Sequence, residues 1–426
     1  MRTVQTLVVG AGQAGLAVSR CLTARGAEHI VVERHQVAER WRTARWDSLR
    51  LITPNWMSGL PGWSYSGPDP DGYMPAAELA RHLQGYARSF AAPVHEHTTV
   101  QRVETCAAGL RVITDRQTWI ARNVVVATGT ENGASLPAVT GRLDPGLHQL
   151  IASRYRNPDQ LPGGGVLVVG ASASGVQIAD ELRRSGRPVV LAAGGHTRLP
   201  RRYRGRDIVW WMHRAGLFDH TIDQMRDVRS ARRAPSLQLS ARPGHPVDLA
   251  ALAGRGVVLA GRLAAADGWS AAFAGDLPAT TGAAQARLER LLRSIDDYIS
   301  RCGGQPLGPN DPADALPPFV AAEPGPARLD LRRAGITSVI WATGFRPAYP
   351  WLRIGVLDGR GEIVHRRGVT RVPGLYVLGL RFLHRRSSSF VGGVGADAQF
   401  VAAHLTRRAA GRPPAIAGPD LCHLTA

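Results

Sequence analysis

"LVVGAGQAGLAV" at residues 7–18 and "VLVVGASASGVQ" at residues 166–177 decide the fold of this chain. Each is an apolar run that breaks at a glycine and resumes with helical spacing. In the first, Gly10, Gly12 and Gly15 form G-x-G-x-x-G. There the first glycine makes a tight turn, the second lets a pyrophosphate approach, and the third brings helix against strand. The helix start adds unpaired N–H groups and about half a positive charge for that phosphate. Residues 4–33 therefore read as strand, glycine turn, helix and strand, and residues 165–193 repeat the plan. Two such units in one chain predict an α/β fold with two Rossmann-like dinucleotide-binding domains.

The remaining chain is read outward from these units. "NVVVATG" at 123–129 and "SVIWATG" at 338–344 read as buried strands that run out of a domain into a crossing point. The late strand "GLYVLG" at 374–379 and a helix within 385–408 need an existing sheet, and the first domain is their host. The expected organisation is a first dinucleotide-binding domain of residues 1–160 and 332–426, interrupted by a second of residues 161–331. Its segment 225–330 is less legible: strands with a turn near 256–278, and helical spacing over 285–300.

Composition bounds the function. The chain has 426 residues, 44% hydrophobic and 20% charged, which suits a folded enzyme of two or three domains. Its formal charge is +19, yet all 52 basic residues are arginine and none is lysine, which excludes a Schiff-base lysine and a P-loop lysine. The arginines alternate with acids and form no basic block, so nucleic acid is not the expected partner. Cys21, Cys106, Cys302 and Cys422 lie far apart with no C-x-x-C pair, which argues against a metal site or a dithiol centre. No apolar run reaches the length of a membrane span, and a reducing cytoplasmic location is expected.

The strand ends assign the two sites. Glu33 closes "HIVVE", where a carboxylate can accept hydrogen bonds from both ribose hydroxyls of an unphosphorylated ADP moiety. The second fingerprint, Gly170, Ser172 and Gly175 with Ser174, leads to a strand end with no acid but with Arg198, Arg201 and Arg202. Guanidinium groups bind a 2′-phosphate bidentately at roughly 1.5–3 kcal/mol per charged hydrogen bond. That pattern reads as FAD in the first domain and NADPH in the second, with electrons passing between them. With no cysteine pair to receive the electrons, the next acceptor is oxygen or a bound small molecule.

"GAGQAG", "GASASG" and "WATGF", in this order, resemble the flavin-dependent monooxygenases with two dinucleotide domains: flavin-containing monooxygenases, Baeyer–Villiger enzymes and N-hydroxylases. The stretches "LRLITPNW", "LPGWSYSGPDPDGYM", "YRNPDQLP", "RRYRGRD" and "RRSSSFVGGVGADA" resemble bacterial flavoproteins labelled as cation-efflux or potassium-transport proteins. The resemblance implies a single-component monooxygenase in which NADPH reduces FAD, and a C4a-(hydro)peroxyflavin passes one oxygen to a small organic substrate. Heteroatom oxidation, hydroxylation and Baeyer–Villiger insertion all stay open, and specialised metabolism is a fitting setting.

By position, the resemblance puts Gln13, Arg34, Trp41, Thr53, Thr128, Gly129 and Asp397 with the FAD fingerprint, and Asn55, Trp56 and Asp397 near the flavin. It puts Tyr155, Asn157, Thr343 and Gly344 on the NADPH side. A homodimer is the candidate assembly, with no membrane partner. One departure stands out: aligned on Tyr155, a family pattern of Phe, Gly, His and Ser meets Pro145, Leu147, Ile151 and Ala152. The histidine slot holds Ile151, which neither donates a hydrogen bond nor titrates. That raises one alternative, an NADPH-dependent oxidase, reductase or internal-redox enzyme; the transport label of the similar flavoproteins raises a second, a nucleotide-binding regulatory protein.

Overall fold

The computed structural model describes residues 1–233, 237–242, 244–302 and 322–409. Two parallel-cored sheets organise the chain. In the first, Arg2–Val9 lies between His29–Val32 and Thr118–Val126, all parallel, with Val94–His95 outside His29–Val32. Thr118–Val126 serves two partners along one edge. Its early residues pair antiparallel with Gly109–Thr114, which in turn pairs with Val100–Cys106, and its last residues pair parallel with Leu375–Val377. The late strand thus returns to the first sheet, as its sequence position required. Val124, Val125 and Val126 are fully buried, which is why this stretch reads as a continuous apolar run.

The second sheet runs Val258–Ala260, Val189–Ala192, Gly165–Val169, Ile336–Trp341 and His148–Ile151, every pair parallel. This pairing corrects the expected boundaries. His148–Ile151 and Ile336–Trp341 were assigned outside 161–331, but both hydrogen-bond into the second sheet, so the chain crosses between sheets before residue 148 and after residue 341. The crossing segments pair with each other as Gly133–Ala134 against Phe345–Arg346.

In the less legible segment, Val258–Ala260, Leu263–Asp267 and Ser270–Phe273 are the expected strands, and the helical spacing lies within Leu277–Arg301. Leu288, Leu292, Ile295 and Ile299 fall on one face of that helix. They pack with Ile208, Trp211 and Met212 of the helix Ile208–Arg214. Ile52, Met57 and Phe390 of the first domain join the same cluster. Among the described residues, no helix is long and apolar enough to cross a membrane.

Candidate functional site

The first glycine turn follows Arg2–Val9. Gly10 has φ +105°, and its N–H donates to the Val32 carbonyl at 2.8 Å. A Cβ on Gly15 would stand 1.8 Å from the Gly10 carbonyl oxygen, so this helix must begin with glycine there. A Cβ on Gly12 would meet nothing within 4 Å: that side of the turn is open to a ligand. The helix Gln13–Thr23 starts at Gly12 without a side-chain cap, leaving its first N–H groups facing the same opening.

Glu33 reaches this turn. Its Oε2 accepts the Ala11 N–H at 2.8 Å and its Oε1 accepts the His35 N–H at 3.2 Å. Trp41 donates Nε1–H to Gln13 Oε1 at 3.2 Å, and the Arg45 guanidinium lies 4.8 Å from the Trp41 ring centroid. Val9 is in register with both Val32 and Val126, which brings Thr128 and Gly129 to the same sheet edge as Gly10. Both accept hydrogen bonds from Asn132. Arg34 is exposed and Thr53 half-buried.

The second turn repeats the construction. Gly170 has φ +108°, and a Cβ on Gly175 would stand 1.7 Å from the Gly170 carbonyl. The helix Ala173–Arg184 begins at Ser172, again uncapped, with Ser174 half-buried beside it. Gln238 braces the turn from below by donating to the Ala171 carbonyl at 2.5 Å. Thr343 donates to the Ser135 carbonyl at 2.5 Å, and Gly344, at φ +85°, turns the chain into the crossing ribbon. Both turns fit a dinucleotide pyrophosphate, because each offers an uncapped helix start beside a glycine turn.

Five expected NADPH contacts have partners within the protein. Arg198 pairs with Asp248 at 2.9 Å and donates to Gln285 at 3.0 Å. Arg201 pairs with Asp207 at 2.5 Å, donates to the Ile52 carbonyl at 2.9 Å, and stacks 4.6 Å from the Tyr73 ring centroid. Each of these two guanidinium groups is thus paired with a carboxylate in this structure. Arg202 is exposed and donates to the Gly205 carbonyl at 3.0 Å. Tyr155 is fully buried, its hydroxyl donating to Glu181 at 2.8 Å, and burial pushes its pKa upward. Asn157 donates to Asp47 at 2.7 Å.

Sequence reasoning missed what the connector does. Arg156 donates to the Arg42 carbonyl at 3.2 Å and the Arg45 carbonyl at 2.6 Å, and pairs with Asp47 at 3.1 Å. With Asn157 it straps the second domain to the loop beside Trp41. The Asp47 partner lies 109 and 110 residues away in sequence, and no local pattern announces it.

On the flavin side, Asn55 is a structural latch. Its Oδ1 accepts the Met74 N–H at 2.7 Å and its Nδ2 donates to the Asp69 carbonyl at 2.8 Å, so its amide is already engaged. Trp56 packs against His213 of the second domain, with ring centroids 5.0 Å apart and planes tilted by 56°. Asp397 lies in the first turn of Val394–Ala409 and is 4% exposed, with Oδ2 lacking a hydrogen-bond partner. Burial raises its pKa, against the opposing pull of a Ser388 hydrogen bond and the Arg385 and Arg367 charges. Gly392 packs against the backbone of Met57 and Gly59, which ties this helix start to the Asn55–Ser58 turn.

Ile151 ends the edge strand of the second sheet in register with Trp341 and packs into an apolar layer with it. His148 is in register with Ser338 at the other end of the strand. At about 3.3 Å per residue, three residues put it roughly 10 Å from the Ile151 position, on the end away from the glycine turn. It does not replace the missing histidine. Cys21, Cys106 and Cys302 are free thiols, while Cys422 lies outside the described residues. Among the described residues, no group of three or more His, Cys, Asp or Glu could hold a metal ion.

Comparison with known proteins agrees with this geometry. A family model described as pyridine nucleotide-disulphide oxidoreductase matches residues 7–206. A CzcO-like oxidoreductase of Geobacillus kaustophilus is 33% identical over 402 residues, covering 93% of this chain and 97% of that protein. The indole-3-pyruvate monooxygenase YUCCA8 of Oryza sativa subsp. indica is 34% identical over 212 residues, 47% of this chain and 50% of that protein. Among solved structures, a flavin-containing monooxygenase from Stenotrophomonas maltophilia superposes with TM-score 0.67 at 22% identity, covering 96% of this chain and all of that one.

Proposed function

This chain belongs to the CzcO-like oxidoreductase family, and on that premise we propose that it is of the flavin monooxygenase type, an FAD- and NADPH-dependent monooxygenase of a small organic molecule. The observation that carries the reading is the pair of uncapped helix starts beside glycine turns, with Glu33 at the first turn and no carboxylate in the corresponding place at the second. Gly10, Gly12, Gly15 and Glu33 would hold the ADP part of FAD; Gly170, Ser172, Ser174 and Gly175 would hold the NADPH pyrophosphate. FAD, when bound, supplies the two-electron chemistry between NADPH and oxygen. The protein's share is positioning and water exclusion. Trp41 and Gln13 brace each other beside the first turn, and Trp56 with His213 closes the seam between domains. The absence of a C-x-x-C pair in the sequence separates this reading from a dithiol reductase.

Ile151 favours a second reading, in which reduced enzyme returns electrons to oxygen as peroxide without oxygenating a substrate. An apolar side chain in that slot offers no hydrogen bond to a nicotinamide. NADPH-driven turnover under isotopically labelled dioxygen, with a panel of amines, sulfides, ketones and acids, separates the two. Label in an organic product, with less than one peroxide per NADPH, supports the monooxygenase. One peroxide per NADPH across the whole panel contradicts it and leaves the oxidase.

A further inference from the structure

One end of the interdomain seam gathers buried polar atoms that the reading above leaves unused. Segment 384–388 of the first domain runs along 218–222 of the second. Ile222 N–H donates to the His384 carbonyl at 2.7 Å, Arg386 N–H to the His220 carbonyl at 3.0 Å, and Ser387 N–H to the Phe218 carbonyl at 3.1 Å. Segment 384–388 follows the strand Leu375–Val377, so it leaves from the same sheet edge that carries the first glycine turn. Arg367 arrives from the adjoining turn, where the Gly368 carbonyl accepts the Val377 N–H at 2.8 Å, and its guanidinium lies 4.1 Å from the Phe400 ring centroid.

In this patch Arg367 Nε, His384 Nδ1 and Asp397 Oδ2 are all buried without a hydrogen-bond partner. Among the described residues, neither Arg367 nor Arg385 forms an ion pair, and the charges of both reach the same two groups, Asp397 and His384. Arg367 lies over Phe400, which follows Asp397 by three residues on the same helix, and Arg385 is held at Ser388, so both arginines border the buried Asp397 carboxylate. Two guanidinium charges beside the single Asp397 carboxylate leave positive charge over, and a second planar carboxylate matches the guanidinium fork. Ser388 positions the arginine: its Oγ accepts the His384 N–H at 3.1 Å and the Arg385 N–H at 2.8 Å. Phe218 and Phe390, with centroids 5.3 Å apart, supply an apolar wall beside the charge.

We propose that Arg367 and Arg385 receive the carboxylate of the substrate, so that the substrate class is small organic acids with an apolar body. The proposal rests on the flavoenzyme reading and deepens it.

The test titrates the FAD-loaded protein with benzoate and with its neutral counterpart benzamide, reading the visible flavin band. Benzoate gives a saturable difference spectrum and benzamide none. Arg367→Gln and Arg385→Gln each weaken benzoate binding about tenfold or more, as loss of a charged hydrogen bond requires. Arg385→Lys keeps part of it, and flavin content checks that each variant folds. Equal responses to the two probes, or none to either, would overturn the proposal. So would variants that raise the KM for NADPH and leave benzoate untouched, since the arginines would then serve a cofactor phosphate. A protein without flavin, or with flavin that NADPH does not reduce, defeats the underlying reading; reduction without benzoate discrimination defeats this proposal alone.

Discussion

The guanidinium of Arg201 in the second domain lies over the ring of Tyr73 in the first, and both side chains converge on the carboxylate of Asp207. Arg201 also holds the carbonyls of Ile52 and Ser240, one from each domain. The arginine expected to read a 2′-phosphate thus bonds to both domains across the seam.

Replacing Arg201 with Ala should therefore act on stability rather than cofactor choice. Removing one partner of a largely buried ion pair costs roughly 3 kcal/mol, because Asp207 is left uncompensated. Thermal unfolding should shift downward by several degrees, and the ratio of KM for NADPH to KM for NADH should stay where it was. A selective loss of NADPH affinity would return Arg201 to the cofactor.

The first glycine turn separates folding from binding within one motif. Gly15→Ala forces a Cβ into the Gly10 carbonyl, and such overpacking costs about 1–3 kcal/mol or more, so soluble yield and thermal stability fall. Gly12→Ala meets no protein atom, so stability without flavin should hold while FAD content drops. Full FAD occupancy in Gly12→Ala would show that the pyrophosphate does not approach there.

Tyr155→Phe tests the connector. Its hydroxyl bonds Glu181 within the second domain, so the substitution should cost about 1 kcal/mol and leave the KM for NADPH unchanged. A rise in that KM with unaltered stability would mean the side chain touches the cofactor.

Ile151→His puts an imidazole at the end of the edge strand, against Trp341. If the apolar slot is what lets electrons leak to oxygen, the variant should release less peroxide per NADPH, at the expense of about 1–3 kcal/mol for a polar group in an apolar layer. Equal peroxide yields in the two proteins would mean that Ile151 has no part in coupling.

Much of this fold is legible in the sequence because its decisive signals are local. The glycine turns, the buried strands at 123–129 and 338–344, and the spacing of Leu288, Leu292, Ile295 and Ile299 each follow from backbone sterics or helix period. The tasks of the polar residues are not legible in this way. Arg198 meets Asp248, Asn157 meets Asp47, and Arg367 meets Phe400, all through tertiary approach. An Arg-rich strand end looks the same in sequence whether its charges face a phosphate or an aspartate from another element. The domain boundaries failed for a related reason: His148–Ile151 precedes the second glycine turn, and only hydrogen bonding to Ile336–Trp341 shows which sheet owns it.

The central claim is that one chain holds both FAD and NADPH and passes electrons from the second to the first. Its most direct measurement is an anaerobic titration of the purified, FAD-loaded protein with NADPH, following the visible flavin band. The account predicts that one equivalent of NADPH per flavin bleaches the band and that admitting air restores it. A protein that binds no flavin, or a flavin band that excess NADPH leaves unchanged, would contradict it.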